Sequence, residues 1–103
     1  VQFIQGEIEN IPMNSGNIDR VIASLVLHEV EPLSEGLQEI HRVLKSGGRC
    51  LCLEWEKKSM EQGPPLQHRI HSGEMRKAIE VAGFSDIHVS FPTDSHYIIT
   101  FQK

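Results

Sequence analysis

His28, Glu54 and Arg69 are the side chains of this sequence best suited to move a proton or meet a charge. His28 stands in LVLHEV, directly after an apolar run. With an ordinary imidazole pKa of about 6.5, it can take a proton near neutrality. A lone histidine at a strand end is also a common structural residue. Glu54 closes a second apolar run, RCLCLEW, and points to the same rim, which makes it a substrate-side candidate. Arg69 lies in a polar, lid-like stretch, where it can meet an anionic substrate or simply be solvated. Ala23, Ser24 and Leu25 lie at the carboxyl end of the first run, where open α/β sheets bind ligands. The alternative for them is a buried strand with Ser24 hydrogen-bonded locally. His68 and His71 have a spacing that one helical turn brings together, but no third ligand stands nearby, so a metal site is not expected.

These side chains need elements to position them. VQFI reads as a short strand and QGEIENIPM as a loop. Val21 to Leu27 are apolar apart from Ser24, which predicts a strand over 20–27 covered on both faces. Leu33, Leu37, Ile40 and Leu44 recur at steps of four, three and four, the stripe of an amphipathic helix over 33–45. Pro32 suits its first turn, and Gly47 or Gly48 its left-handed C′ position. The continuous run Cys50 to Leu53 predicts another doubly covered strand over 50–54. A polar segment with Gly63, Pro64 and Pro65 follows, marking a turn or lid. Ser72 is a candidate N-cap for a second helix carrying Met75, Ile79 and Ala82 on one face. Gly83 ends that helix, and Phe84 can fold back on Ile79. IHVSF, with Ile87, Val89 and Phe91 on one side, and YIITF alternate around the turn residues PTDS, an antiparallel hairpin. The order predicts an α/β sheet, parallel at first, with an antiparallel strand at one edge.

Composition narrows the function. The chain has 103 residues, which suits a single domain over 1–103. Apolar content of 39% and charge of 23% are ordinary for a globular protein and exclude wholesale disorder. A net charge of -4 without a basic run argues against nucleic acid as a partner. No apolar stretch reaches the roughly 20 residues of a membrane helix, and the first residues lack a signal-peptide pattern. Cys50 and Cys52 fall on one face of a strand, cannot easily bridge each other, and read as reduced core thiols of a cytoplasmic protein.

The segments GEIENIPM, NIDRVIASLVLHEV, LQEIHRVLKSGGRCLCLEW and EMRKAIEVAGFSDI, in that order and spacing, resemble the class I S-adenosylmethionine-dependent methyltransferases. The nearest branch looks like the ubiquinone and menaquinone C-methyltransferases. The resemblance implies a partial Rossmann-like sheet, mostly parallel with a C-terminal antiparallel hairpin. It implies S-adenosyl-L-methionine as cofactor and a small-molecule methyl acceptor. It also implies a chain that begins around the family's third strand, because none of the eight glycines forms the family's GxG loop.

Residue by residue, Glu7 aligns with the family's acidic contact to the adenine amino group, one methylene longer than the usual aspartate. By the same resemblance, Ile8 is expected to supply the adjacent backbone N–H to the ring. The resemblance also implies that the backbone of Ala23, Ser24 and Leu25 meets the methionine part of the cofactor and that His28 faces the substrate cavity, as histidines of relatives often do. Because the loop is missing, the isolated chain is expected to bind S-adenosylmethionine weakly and to be inactive alone. Strand 20–27, lacking one neighbour, is expected to form a homodimer through its open edge, unless residues 1–5 fold back into the place. A non-catalytic, self-associating or scaffolding module is the alternative function.

Overall fold

The computed structural model describes residues 11, 13–25, 27–57 and 69–103. The VQFI strand, Glu7, Ile8 and His68 lie outside them. Among the described residues the elements are β1 (Ile18–Ser24), a 3-10 turn (Leu27–Glu29), α1 (Leu33–Val43), β2 (Leu44–Trp55), α2 (Ser72–Val81), β3 (Ser85–Ser90) and β4 (His96–Gln102). The sheet order is β1-β2-β4-β3. β1 and β2 are parallel, while β4 runs antiparallel to both β2 and β3. Three strands therefore share one direction, as the α/β expectation requires. The antiparallel strand, expected at an edge, sits inside the sheet, and β3 takes the edge instead. A tight hairpin return fixes only that β3 and β4 are neighbours; contact with β2 decides which one goes inward.

One face of the sheet carries the core. Leu37 and Ile40 of α1 and Met75 and Ile79 of α2 pack with Ala23, Cys50, Cys52, Ile99 and Phe101, all buried. The alternate residues Leu51, Leu53 and Ile98 are only half-buried, and Ile22 is 73% exposed. The expectation of doubly covered strands is thus corrected for the described residues, whose two helices lie on a single face. A continuous apolar run shows that both faces avoid water, not what covers them.

Several boundaries also move. β1 stops at Ser24 rather than reaching residue 27, because Leu25 turns into the left-handed region at φ 58° and Leu27–Glu29 coil into the 3-10 turn. α1 ends at Val43, and its C-cap Leu44 is already extended, so neither Gly47 nor Gly48 is a C′ residue. The long β2 instead bulges between its pairings Ile18↔Leu44 and Arg20↔Arg49. Gly47, at φ 82°, donates its amide to the Lys103 carbonyl, and Lys103 returns a bond to the Gly48 carbonyl. A Cβ on Gly48 would stand 2.8 Å from the Lys45 carbonyl oxygen and 3.1 Å from that of Asp19. The glycine pair thus allows close backbone approach at the mouth of a strand.

The second helix follows its sequence signals more closely. Its N-cap is His71, whose Nδ1 accepts the Gly73 amide at 3.0 Å, and Ser72 is the first helical residue rather than the cap. At the other end Gly83 adopts φ 98°, donates to the Glu80 carbonyl, and is followed by Phe84 donating to Ile79. That is the Schellman arrangement expected from Gly83 and Phe84. Phe84 then packs edge-on against Phe101 with ring centroids 4.6 Å apart. Ile87 and Val89 pack against the core, but Phe91 lies beyond the end of β3 and is 61% exposed. A local irregularity in the pairing between Ser85 and His88, where Asp86 sits at φ 51°, accompanies that early end.

Candidate functional site

The carboxyl ends of β1 and β2 meet at one rim, and the sequence candidates gather there. Glu54, next to last in β2, is fully buried. A buried carboxylate must be well supplied with donors. It accepts the backbone N–H of His28 at 3.2 Å and that of Trp55 at 3.2 Å. The imidazole Nδ1 of His28 lies 3.0 and 2.9 Å from its two oxygens. An ionised carboxylate only accepts, so with Glu54 in that form Nδ1 is the donor of this contact and Nε2 is the ring's other nitrogen. The 3-10 turn holds this orientation, since it presents the His28 amide and ring to the same carboxylate. A carboxylate that orients an imidazole in this way is an arrangement that general-base chemistry can use.

His28 is nearly buried, with 7% of its side chain exposed, and Nε2 lies 3.7 Å from the exposed Glu29 carboxylate. It lines a cleft of about 390 Å³ together with Glu31, Pro32, Arg69 and Ile70. That volume falls in the range of roughly 300–1,000 Å³ common for small-molecule sites. Arg69, read from the sequence as either a contact to an anionic substrate or a solvated residue, is 3% exposed, and its guanidinium carbon stands 5.2 Å from the centre of the Trp55 ring. A cation over an indole face is an attractive arrangement that the sequence could not disclose. A second hollow of about 290 Å³ lies between α1 and α2, lined by Ser34, Gln38 and Val81 among others.

Ala23, Ser24 and Leu25 sit at the end of β1 as expected, with Ala23 buried and Ser24 exposed. The Leu25 amide donates to the Leu53 carbonyl at 2.8 Å, which anchors the left-handed turn. A leucine in this region is strained, and such backbone often marks a functional rim. Sequence reasoning missed it because leucine gives no signal for positive φ. His71, considered with His68, caps α2 instead. Among the described residues no group of three or more histidine, cysteine or acidic side chains could hold a metal ion.

Glu56, one residue past β2, was not singled out by the sequence either. Its carboxylate accepts the Ser72 hydroxyl at 2.9 Å, the Ser72 amide at 3.1 Å and the Lys57 amide at 3.0 Å. Burial pushes its pKa up, but these bonds and the nearby His71 hold it below the ordinary carboxylate value. On the inner face of β2, burial pushes the Cys50 thiol up to about 12 and raises that of Cys52 as well, so neither is a nucleophile at neutral pH.

A family model described as a methyltransferase domain matches residues 1–52. The chain is 33% identical over 81 residues to the mitochondrial 2-methoxy-6-polyprenyl-1,4-benzoquinol methylase of Bos taurus, covering 79% of this chain and 23% of that protein. It is 33% identical over 72 residues to a demethylmenaquinone methyltransferase of Staphylococcus epidermidis, covering 70% of this chain and 28% of that one. Among solved structures, a SAM-dependent methyltransferase from Aquifex aeolicus superposes with a TM-score of 0.86 at 20% identity, over 98% of this chain and 54% of that one. The chain belongs to the S-adenosylmethionine-dependent methyltransferase family, with that family's Rossmann-like fold. It spans about a quarter of the length of the curated relatives named here.

Proposed function

We propose that the chain serves methyl transfer from S-adenosylmethionine to a small hydroxylated aromatic acceptor of the quinol kind, with His28 as general base. The observation that carries this is the His28–Glu54 pair at the rim of the 390 Å³ cleft. The acceptors in the relatives' names, a benzoquinol and a demethylmenaquinone, support the substrate class. The donor, when bound, supplies an electrophilic methyl group on a sulfonium sulfur. The backbone of Ala23, Ser24 and Leu25 at the end of β1 is the proposed contact to its methionine part, and Glu7 and Ile8 are the proposed adenine contacts.

Nε2 of His28 takes the acceptor's hydroxyl proton, and Glu54 stabilises the resulting imidazolium through Nδ1–H. Losing that proton raises the electron density of the acceptor ring, which becomes the better nucleophile. Arg69, which lines the same cleft, is the proposed cation for the developing oxyanion. Positioning supplies much of the remaining rate.

Replacing His28 by alanine in the full-length protein should lower kcat by roughly 10²–10⁴, with the KM for S-adenosylmethionine unchanged. Full activity of H28A against a short-chain hydroquinone overturns the assignment. Because no GxG stands among its glycines, the isolated chain should bind the donor weakly or not at all in calorimetric titration. Low-micromolar binding would contradict that.

The second reading, a non-catalytic module self-associating through the outer edge of β1, is supported by the strand's pairing with β2 alone among the described residues and by the exposed Ile22. Light scattering tests it, since a monomer at high micromolar concentration leaves no homodimer. The two buried thiols favour a reducing compartment, the cytoplasm in this proposal. Among the described residues no helix is long and apolar enough to cross a membrane.

A further inference from the structure

Residues 69–72 are strapped to the sheet at two points. The Glu56 carboxylate grips both the amide and the hydroxyl of Ser72. The Tyr97 hydroxyl donates to the Ile70 carbonyl at 2.8 Å. Glu56 is itself fixed, since its amide donates to the Ser95 carbonyl at 2.8 Å in the β3–β4 turn. At the start of this short run, Arg69 lies over Trp55, whose ring centroid is 4.2 Å from that of His96. Arg69 and Ile70 are also part of the wall of the cleft that His28 lines.

We infer that Glu56 is a positioning residue for the methyl acceptor: by gripping Ser72 it fixes Arg69 and Ile70 as a preset wall beside His28. The inference rests on the cleft being the acceptor site. Its physical basis is pre-organisation. Without the Ser72 bonds the run loses one of its two straps to the sheet, and more of its order must be supplied when the acceptor binds, at a cost in affinity. Glu56 touches none of the reacting atoms, so its effect belongs in the acceptor KM and in the order of Arg69.

Both can be read in the full-length protein. Trp55 is the only tryptophan of this chain, so the difference between each variant and its Trp55→Phe counterpart isolates the ring under Arg69. Glu56→Ala should raise the KM for a short-chain hydroquinone roughly tenfold, leave the donor KM unchanged, and increase acrylamide quenching of Trp55. Glu56→Gln, which still accepts from the Ser72 amide, should restore most of both. Ser72→Ala removes only the hydroxyl bond and should give a smaller rise in each, which keeps the test alive if Glu56→Ala fails to fold. Unchanged acceptor KM and unchanged quenching in Glu56→Ala, or in Ser72→Ala when the former does not fold, overturn the inference. That result leaves the general-base proposal intact, whereas an active H28A defeats the general base and leaves the Trp55 quenching data standing.

Discussion

The two faces of the sheet are built from the same strands and carry comparably apolar residues, yet they are in different physical states. On the inner face Cys50, Cys52, Ile99 and Phe101 are fully or almost fully buried under α1 and α2. On the outer face Leu51, Leu53 and Ile98 are half-buried and Ile22 is largely exposed. Burial by packed neighbours, not apolar character, creates stability, because only area removed from water contributes. The outer face therefore holds unused binding energy, and the described residues draw their stability from one side.

Inner-face truncation should have the largest consequence. Phe101→Ala removes the ring that meets Phe84 and leaves a cavity, at a cost of about 3–5 kcal/mol in chemical denaturation. The same variant should open Cys50 and Cys52 to alkylation, whereas in the parent both resist labelling near pH 8, since the Cys50 pKa is pushed up to about 12. Rapid labelling of the parent would show that the inner face is not closed.

Gly48→Ala comes next. Its Cβ would meet the carbonyl oxygens of Lys45 and Asp19, which are backbone and yield little. The expected loss is roughly 1–3 kcal/mol, read as a lower denaturation midpoint. Gly83→Ala meets only ordinary contact with the His41 ring at 3.6 Å, so its cost is that of holding alanine at φ 98°, about 1 kcal/mol. An unchanged midpoint would remove the Schellman turn as the device that delivers Phe84 to the inner face.

Ile22→Ser should change stability least, within about 0.5 kcal/mol, because the side chain is already in water. If it costs more than that, the outer face is covered in solution. Sedimentation of parent and variant then distinguishes a second copy from another part of the protein as the cover.

The sequence alone determined the elements whose signals are local. The stripe Leu33, Leu37, Ile40 specified α1, and Gly83 with Phe84 specified the end of α2, because side-chain periodicity and a left-handed glycine act within a few residues of themselves. The alternation in YIITF likewise located β4. His28 and Glu54 were legible as candidates from residue type and strand ends, and the family resemblance was legible from four spaced segments.

Tertiary structure alone decided the rest. The end of β1 depends on Leu25 accepting a strained turn, and the glycine pair at 47–48 depends on Lys103, more than fifty residues away in sequence. The insertion of β4 between β2 and β3 depends on the Cys50↔Phe101 to Trp55↔His96 register. That His28 and Glu54 are one hydrogen-bonded unit, and that Arg69 is buried on Trp55 rather than solvated, are likewise facts of juxtaposition. Local propensity is fixed by neighbours along the chain. Pairing, burial of charge and choice of face are fixed by which distant groups arrive at the same place, and only the folded chain brings them there.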